Sequence, residues 1–384
     1  MTTSFDRRPQ SCATGWLEET HASGVRSNRK LVRSFPGCGT SMFVLALWLL
    51  PLQTVLAQFQ DEIDIRGPNA TAHFSLKCKI SDYNGSQIKV VGPIGEKIYP
   101  ISDVVAVRYA RIKQQIDAEQ LLAEGRNDEA ESLLKKAVEA EPRRWARREI
   151  LGLLTGCALR REDFATAGSR FRQIYESDPF TRHINLAPLV WASQSIDGLN
   201  RSTAAAWLNE SKPMDRLVGA SLLLYDAEHG QRSRDTIREL NRLPDDRIRS
   251  LSMWQERRLQ ITNRKVSDFD VSRWATEIDQ LEPPLRAGPI FLLGQARLIR
   301  QEYDLGAAEF LKLPIVYSSD HPLIARASFE AGQALLRNGL RVEAARLFQE
   351  TITRYPWSTA ASDARASLKE LLASVSQEPN ADTP

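Results

Sequence analysis

The chain has 384 residues with 51 basic and 48 acidic side chains, five histidines and only four cysteines. Its length allows a sizeable core and more than one domain, and so few cysteines exclude a disulfide-built scaffold. The small positive balance is concentrated at the N-terminus, which excludes a generally basic nucleic-acid binder.

Residues 1–57 read as a leader. Arg26, Arg29, Lys30 and Arg33 precede an apolar run from Met42 to Leu50, and Val55-Leu56-Ala57 offers a signal-peptidase site before Gln58. The run is broken by Pro51 and Gln53 and is short for a membrane span. Cleavage would send the chain out to the periplasm or cell envelope, or secrete it; an uncleaved leader would instead anchor it to a membrane. Taking away the leader's six basic and three acidic residues leaves 45 of each, so the mature protein is close to neutral. Of its two remaining cysteines, Cys78 and Cys157 fall in different modules and are expected to be buried free thiols.

Residues 58–109 alternate apolar and polar at Phe74, Leu76, Cys78 and Ile80, the period of a half-buried strand. Asn84-Gly85 marks a turn, Ile88 to Val91 a second strand, Lys97 to Tyr99 a third, and Val104 to Val107 a fourth. The pattern predicts a meander of short antiparallel strands. In strand count and turn spacing the module resembles small SH3-like or Sm-like barrels. It would either cap the helical array or offer a second binding surface.

Helical signals fill residues 110–372. Ala118, Leu121, Gly125, Ala130, Leu134, Ala137 and Pro142 place small residues where two helices would cross, glycine at the turn and proline at the stop. Leu151, Leu154, Ala158, Phe164, Ala167, Phe171 and Pro179 repeat the offsets, with Thr155, Glu162 and Ile174 departing from them, so this hairpin is expected to pack less closely. Gly294, Tyr303, Gly306 and Phe310, then Gly332, Gly339, Ala344, Phe348 and Pro356, form two further units. This spacing resembles the tetratricopeptide repeat of exported bacterial proteins, which implies a mainly α fold of stacked helical hairpins and a protein-binding scaffold. The matched units lie in residues 110–180 and 286–372. Between them, residues 181–285 read as degenerate hairpins, with helices expected at Ala187 to Asp197, Thr203 to Glu210, Asp215 to Glu228 and Arg232 to Leu240. Trp191, Trp207, Trp254 and Trp274 in that region read as core. Residues 373–384 form a polar tail.

No catalytic motif, cofactor-binding loop or metal-ligand spacing is present in the sequence. The expected function is therefore a non-enzymatic scaffold that holds a protein or peptide of the cell envelope in the concave groove formed by first helices. Gln115 and Glu119 in the first unit and Phe329, Gln333 and Arg337 in the last are the candidate contacts. Repeat domains of this family that clamp a carboxylate line this helix with Lys and Asn, so that mode is not implied. Arg143, Arg144, Arg147 and Arg148, with Arg160 and Arg161 nearby, form a candidate patch for an anionic partner, or a solvated face neutralised by Glu149, Glu162 and Asp163. The alternative function is an envelope hydrolase or transferase with its site in the irregular region. A pocket joining His183 or His229 to a carboxylate would favour it, and a smooth groove would favour the scaffold.

Overall fold

The computed structural model describes residues 61–67, 73–93, 95–192, 196–317 and 322–377. The leader and the tail beyond residue 377 lie outside the described residues. The fold is mainly α, with a small antiparallel sheet on its N-terminal side.

Five strands, β1 (Asp61–Arg66), β2 (His73–Tyr83), β3 (Gln87–Gly92), β4 (Gly95–Pro100) and β5 (Val104–Arg108), lie in the order β4-β3-β2-β1-β5. The meander holds through β4. The last strand then returns to pair with β1, Ile63 opposite Val107, and β1 is the strand that the sequence pattern did not predict. Its charged residues have local uses. Asp61 is buried and accepts hydrogen bonds from the Ile80 N–H (2.9 Å) and the Ala110 N–H (3.1 Å), tying β1 to β2 and to the linker into the helices.

The helices begin with α1 (Lys113–Ala123), α2 (Asn127–Ala140), α3 (Arg144–Arg160) and α4 (Phe164–Ser177). The β module is keyed to the second hairpin. Trp145 and Ala146 at the start of α3 complete a core with Ile63, Cys78, Ile80, Ile88 and Val90. At the β2–β3 turn, the Gly85 N–H donates to Asp178 Oδ2 (2.9 Å), and a Cβ on Gly85 would lie 1.6 Å from the Phe180 carbonyl oxygen. Only glycine permits that approach.

Next come α5 (Gly198–Leu208), α6 (Pro213–Leu222), α7 (Gly230–Leu240), α8 (Asp246–Thr262) and α9 (Asp268–Gln280). The array ends with α10 (Ala287–Ile299), α11 (Tyr303–Val316), α12 (Pro322–Arg337), α13 (Arg341–Arg354) and α14 (Thr359–Gln377). Five hairpin turns share one geometry. Gly125, Glu162, Arg264, Gln301 and Gly339 adopt φ of +77°, +56°, +51°, +63° and +81°. Each donates its N–H three residues back while the next N–H reaches five residues back, as Gly125 does to Leu122 and Arg126 to Leu121. That pair of bonds satisfies carbonyls at the helix end and sends the chain back antiparallel.

The residues predicted at helix crossings are where the pattern places them. Ala118, Ala130, Ala137, Ala167 and Ala344 are fully buried. Added Cβ atoms on Gly294 and Gly332 would come within 2.7 Å of the Phe310 ring and 2.6 Å of the Phe348 ring. The α3–α4 pair stays closed, with Thr155, Ile174 and Phe171 buried, so its departure from the pattern appears as a left-handed Glu162 at the turn. Cys78 and Cys157 are both buried free thiols.

The irregular region differs from expectation. No helix covers residues 187–192. A 3-10 turn (Arg182–Leu186) leads into an extended stretch in which Ala187, Leu189, Val190 and Trp191 are buried. A buried backbone without a helix needs other partners. Ser221 Oγ accepts from the Val190 N–H (2.9 Å), and Gln255 Nε2 donates to the Val190 carbonyl (3.2 Å). Arg258 braces both, donating to the Ser221 carbonyl (3.1 Å) and to Gln255 Oε1 (2.6 Å). The helix expected at Asp215 to Glu228 ends at Leu222. Trp191, Trp207, Trp254 and Trp274 are all core. Near the C-terminus, Arg160 lies over the Trp357 ring at 5.6 Å and Thr359 Oγ1 donates to Glu162 Oε1 (2.9 Å), so the start of α14 touches the second hairpin.

Candidate functional site

The first helices of the first two hairpins share a cavity of about 640 Å3. Residues three and four apart on a helix lie on one face. From α1 that face brings Gln115, Glu119 and Leu122; from α3 it brings Glu149, Gly152, Leu153, Gly156, Cys157 and Arg160. Arg182, His183 and Leu186 of the 3-10 turn form a third wall, and Val107 and Arg108 of β5, with Tyr109 and Arg111 after it, complete the lining.

Two glycines give α3 its open surface. A Cβ on Gly152 would meet the His183 ring at 3.0 Å, so the imidazole rests where a side chain is missing. A Cβ on Gly156 would meet nothing within 4 Å.

The polar groups at this cavity are organised around Glu149. Its Oε1 lies 3.2 Å from His183 Nε2, and its other oxygen is held by Arg182. Burial opposes charge on this carboxyl. The hydrogen bond from His183, with the charges of His183 and Arg182, outweighs burial and holds it at about 2. Tyr109 and Cys157 show the opposite result, since burial pushes the phenol up to about 12 and the thiol up to about 11. Both stay protonated at neutral pH, and neither is an activated nucleophile. Among the described residues, no group of three or more His, Cys, Asp or Glu side chains could hold a metal ion.

Gln115 and Glu119 do line this cavity, but Gln115 is 1% exposed and part of a network. Its Nε2 donates to Tyr109 Oη (2.8 Å) and Glu119 Oε1 (2.9 Å), while Oε1 has no partner among the described residues. The C-terminal candidates require correction. Phe329 is buried against Phe348, with ring centroids 5.8 Å apart, because the α12 stripe that carries it turns inward. Gln333 is half-buried and donates to Ser367 Oγ (2.7 Å) on α14. Of that trio only Arg337 is exposed.

The arginine patch is also corrected. Arg143 lies against the Tyr109 and Trp145 rings and pairs with Glu141; Arg148 is buried and donates to the Tyr83 carbonyl. Arg160 is buried at the cavity, and Arg161 pairs with Asp128 and Glu131. Arg144, Arg147 and Arg161 are exposed, and the rest of the sequence cluster is spent on holding the β module and the first hairpins together.

Sequence reasoning named His183 and Glu149 singly and did not join them. The available signal was the pair of glycines four apart on α3, which leaves one helix face bare. His229 lies beside an exposed Glu228 at 3.8 Å. The fold and this cavity define a mainly helical, hairpin-stacked protein with a β module docked beside its first cleft. No protein-family model matches the chain, and no curated protein sequence matches it. Among the described residues no helix is long and apolar enough to cross a membrane.

Proposed function

We propose that this chain is a non-enzymatic interaction scaffold of the cell envelope, related in design to tetratricopeptide proteins, which holds a segment of a partner protein in the cleft between α1 and α3. The observation that carries this reading is that the first helices of two successive hairpins, with the 3-10 turn that follows them, turn one apolar strip, Leu122, Leu153 and Leu186, toward a common cleft rimmed by paired charges. The address rests on the run Met42 to Leu50 and the Ala57 site. Affinity capture from the envelope fraction, read by mass spectrometry, tests it. Leu122→Lys with Leu186→Lys should lose the partner while circular dichroism is unchanged. Recovery of the same proteins in the same amounts would sink the reading.

A second reading, an envelope hydrolase, is favoured by one observation. His183 meets Glu149 at hydrogen-bond distance inside the cavity, the juxtaposition that a histidine general base requires. With Cys157 and Tyr109 protonated, such a base would act on water. Turnover of p-nitrophenyl esters by the wild type that His183→Asn abolishes would support this reading. Wild-type protein with no turnover on these esters would count against it.

A further inference from the structure

We propose that Asn84-Gly85, at the β2–β3 turn, is a self-modification site that docking of the β module keeps closed. When the module lifts from the second hairpin, the turn cyclises to a succinimide and hydrolyses to isoaspartate, and the module then no longer redocks. The chemistry needs only these two residues and water. The Gly85 nitrogen attacks Asn84 Cγ, its proton passes to solvent, and Nδ2 leaves as ammonia. Water then opens the five-membered imide at either carbonyl, giving aspartate from one and isoaspartate from the other. Glycine leaves that nitrogen open to the attack, since no side chain shields it.

Two sets of contacts hold the reacting groups, and they belong to different parts of the molecule. Within the turn, Asn84 Oδ1 accepts from the Ser86 N–H (3.0 Å), Ser86 Oγ (2.8 Å) and the Gln87 N–H (3.0 Å). Two backbone donors fix which end of the amide is the oxygen. Across the docking surface, the Gly85 N–H donates to Asp178 Oδ2 (2.9 Å), and the Phe180 carbonyl lies against Gly85. Cyclisation requires the Gly85 peptide to turn toward Cγ, and Asp178 and Phe180 prevent that turn. Undocking removes only this second set. The three donors stay on Oδ1 and polarise the carbonyl that is to be attacked. An isoaspartate at 84 lengthens the main chain by a methylene at a contact where Gly85 has no room even for a Cβ, so the changed turn no longer fits.

The chain supplies its own control, because a second Asn-Gly pair, Asn338-Gly339, stands exposed at the α12–α13 turn, away from the β module. The test incubates the full-length protein at mildly alkaline pH and follows ammonia loss and isoaspartate at both sites by peptide mass spectrometry. Asn84 in the folded protein should react at least about tenfold more slowly than in the same chain unfolded in urea. Asp178→Ala removes a bond to a charged acceptor and should speed the reaction at Asn84 about tenfold, with Asn338 unchanged. Molecules that have reached isoaspartate at 84 should lose hydrogen-exchange protection across residues 83–88.

Equal rates at Asn84 in the folded and unfolded chain would overturn the proposal, and that comparison stands even if Asp178→Ala does not fold. So would an Asp178→Ala variant that leaves Asn84 unchanged or speeds both sites alike. Isoaspartate-bearing protein that keeps full exchange protection at residues 83–88 would overturn the loss of redocking.

Discussion

The first two hairpins and the last two use the same turn and solve the inner face differently. In α10–α13, glycines receive aromatic rings, Gly294 against Phe310 and Gly332 against Phe348, and Phe291 and Phe329 pack beside them at 5.2 and 5.8 Å. The interlock closes the helices on each other. In α1–α4 the crossings are made by Ala118, Ala130 and Ala167, and on α3 Gly156 faces a cavity instead of a ring. A glycine can therefore admit a neighbour's side chain or leave room for something from outside. The second arrangement is where the charged and polar groups collect.

The comparison breaks first at Phe348. Phe348→Ala should cost about 3–5 kcal/mol in urea unfolding. A cost under about 1 kcal/mol would show that the ring is not seated on Gly332. At the opposite end, acid should act through Glu149. Its carboxyl is lowered in the folded protein, so its contribution is complete above about pH 4.5 and is lost as pH falls toward about 2. The contribution is on the order of 3 kcal/mol. Glu149→Gln should flatten the pH dependence of the urea midpoint in that window, and an unchanged slope would mean that another group carries it.

Smaller effects sharpen the contrast. Ala130→Leu and Ala344→Leu should each cost about 1–3 kcal/mol, since both positions lie at helix crossings without room for a branched side chain. An unchanged melting temperature at Ala344 would remove it from the crossing. Last, Gly156→Ala should stabilise by about 0.5–1 kcal/mol, because the methyl enters open space and alanine favours the helix. Gly332→Ala should do the reverse. If both stabilised, the distinction between a filled and an open glycine would fail.

The hairpins legible in the sequence were those whose turns carry glycine. Gly125 and Gly339 announce themselves, whereas the α8–α9 turn uses Arg264 in the same left-handed conformation. Its crossing position holds Arg257, which lies against the Trp254 and Trp274 rings at 4.0 and 5.2 Å, where the other units carry a small residue. A backbone geometry reached by an unexpected residue type leaves no local signature. The 187–192 stretch failed for a related reason, because its helix-like composition reflects burial, and its backbone is held by Ser221 and Gln255 from distant helices. β1 was hidden by charges that serve as partners, Asp61 above all. At the site, Glu119 and Gln115 could be placed on one helix face from their spacing alone. The Glu149 and His183 pair could not, since it is made by two elements 34 residues apart.

A linear stack of repeats touches only its neighbours, so its ends fray first and its stability is a sum of local pieces. Here Trp357 under Arg160, and Thr359 bonded to Glu162, join parts of the chain 197 residues apart. The terminal helices are thereby latched to the interior of the array. Loss of the α14 end would uncover Arg160 from the Trp357 ring as well as remove a helix. Fraying of the last helix then has to break a contact with the second hairpin as well as its own packing.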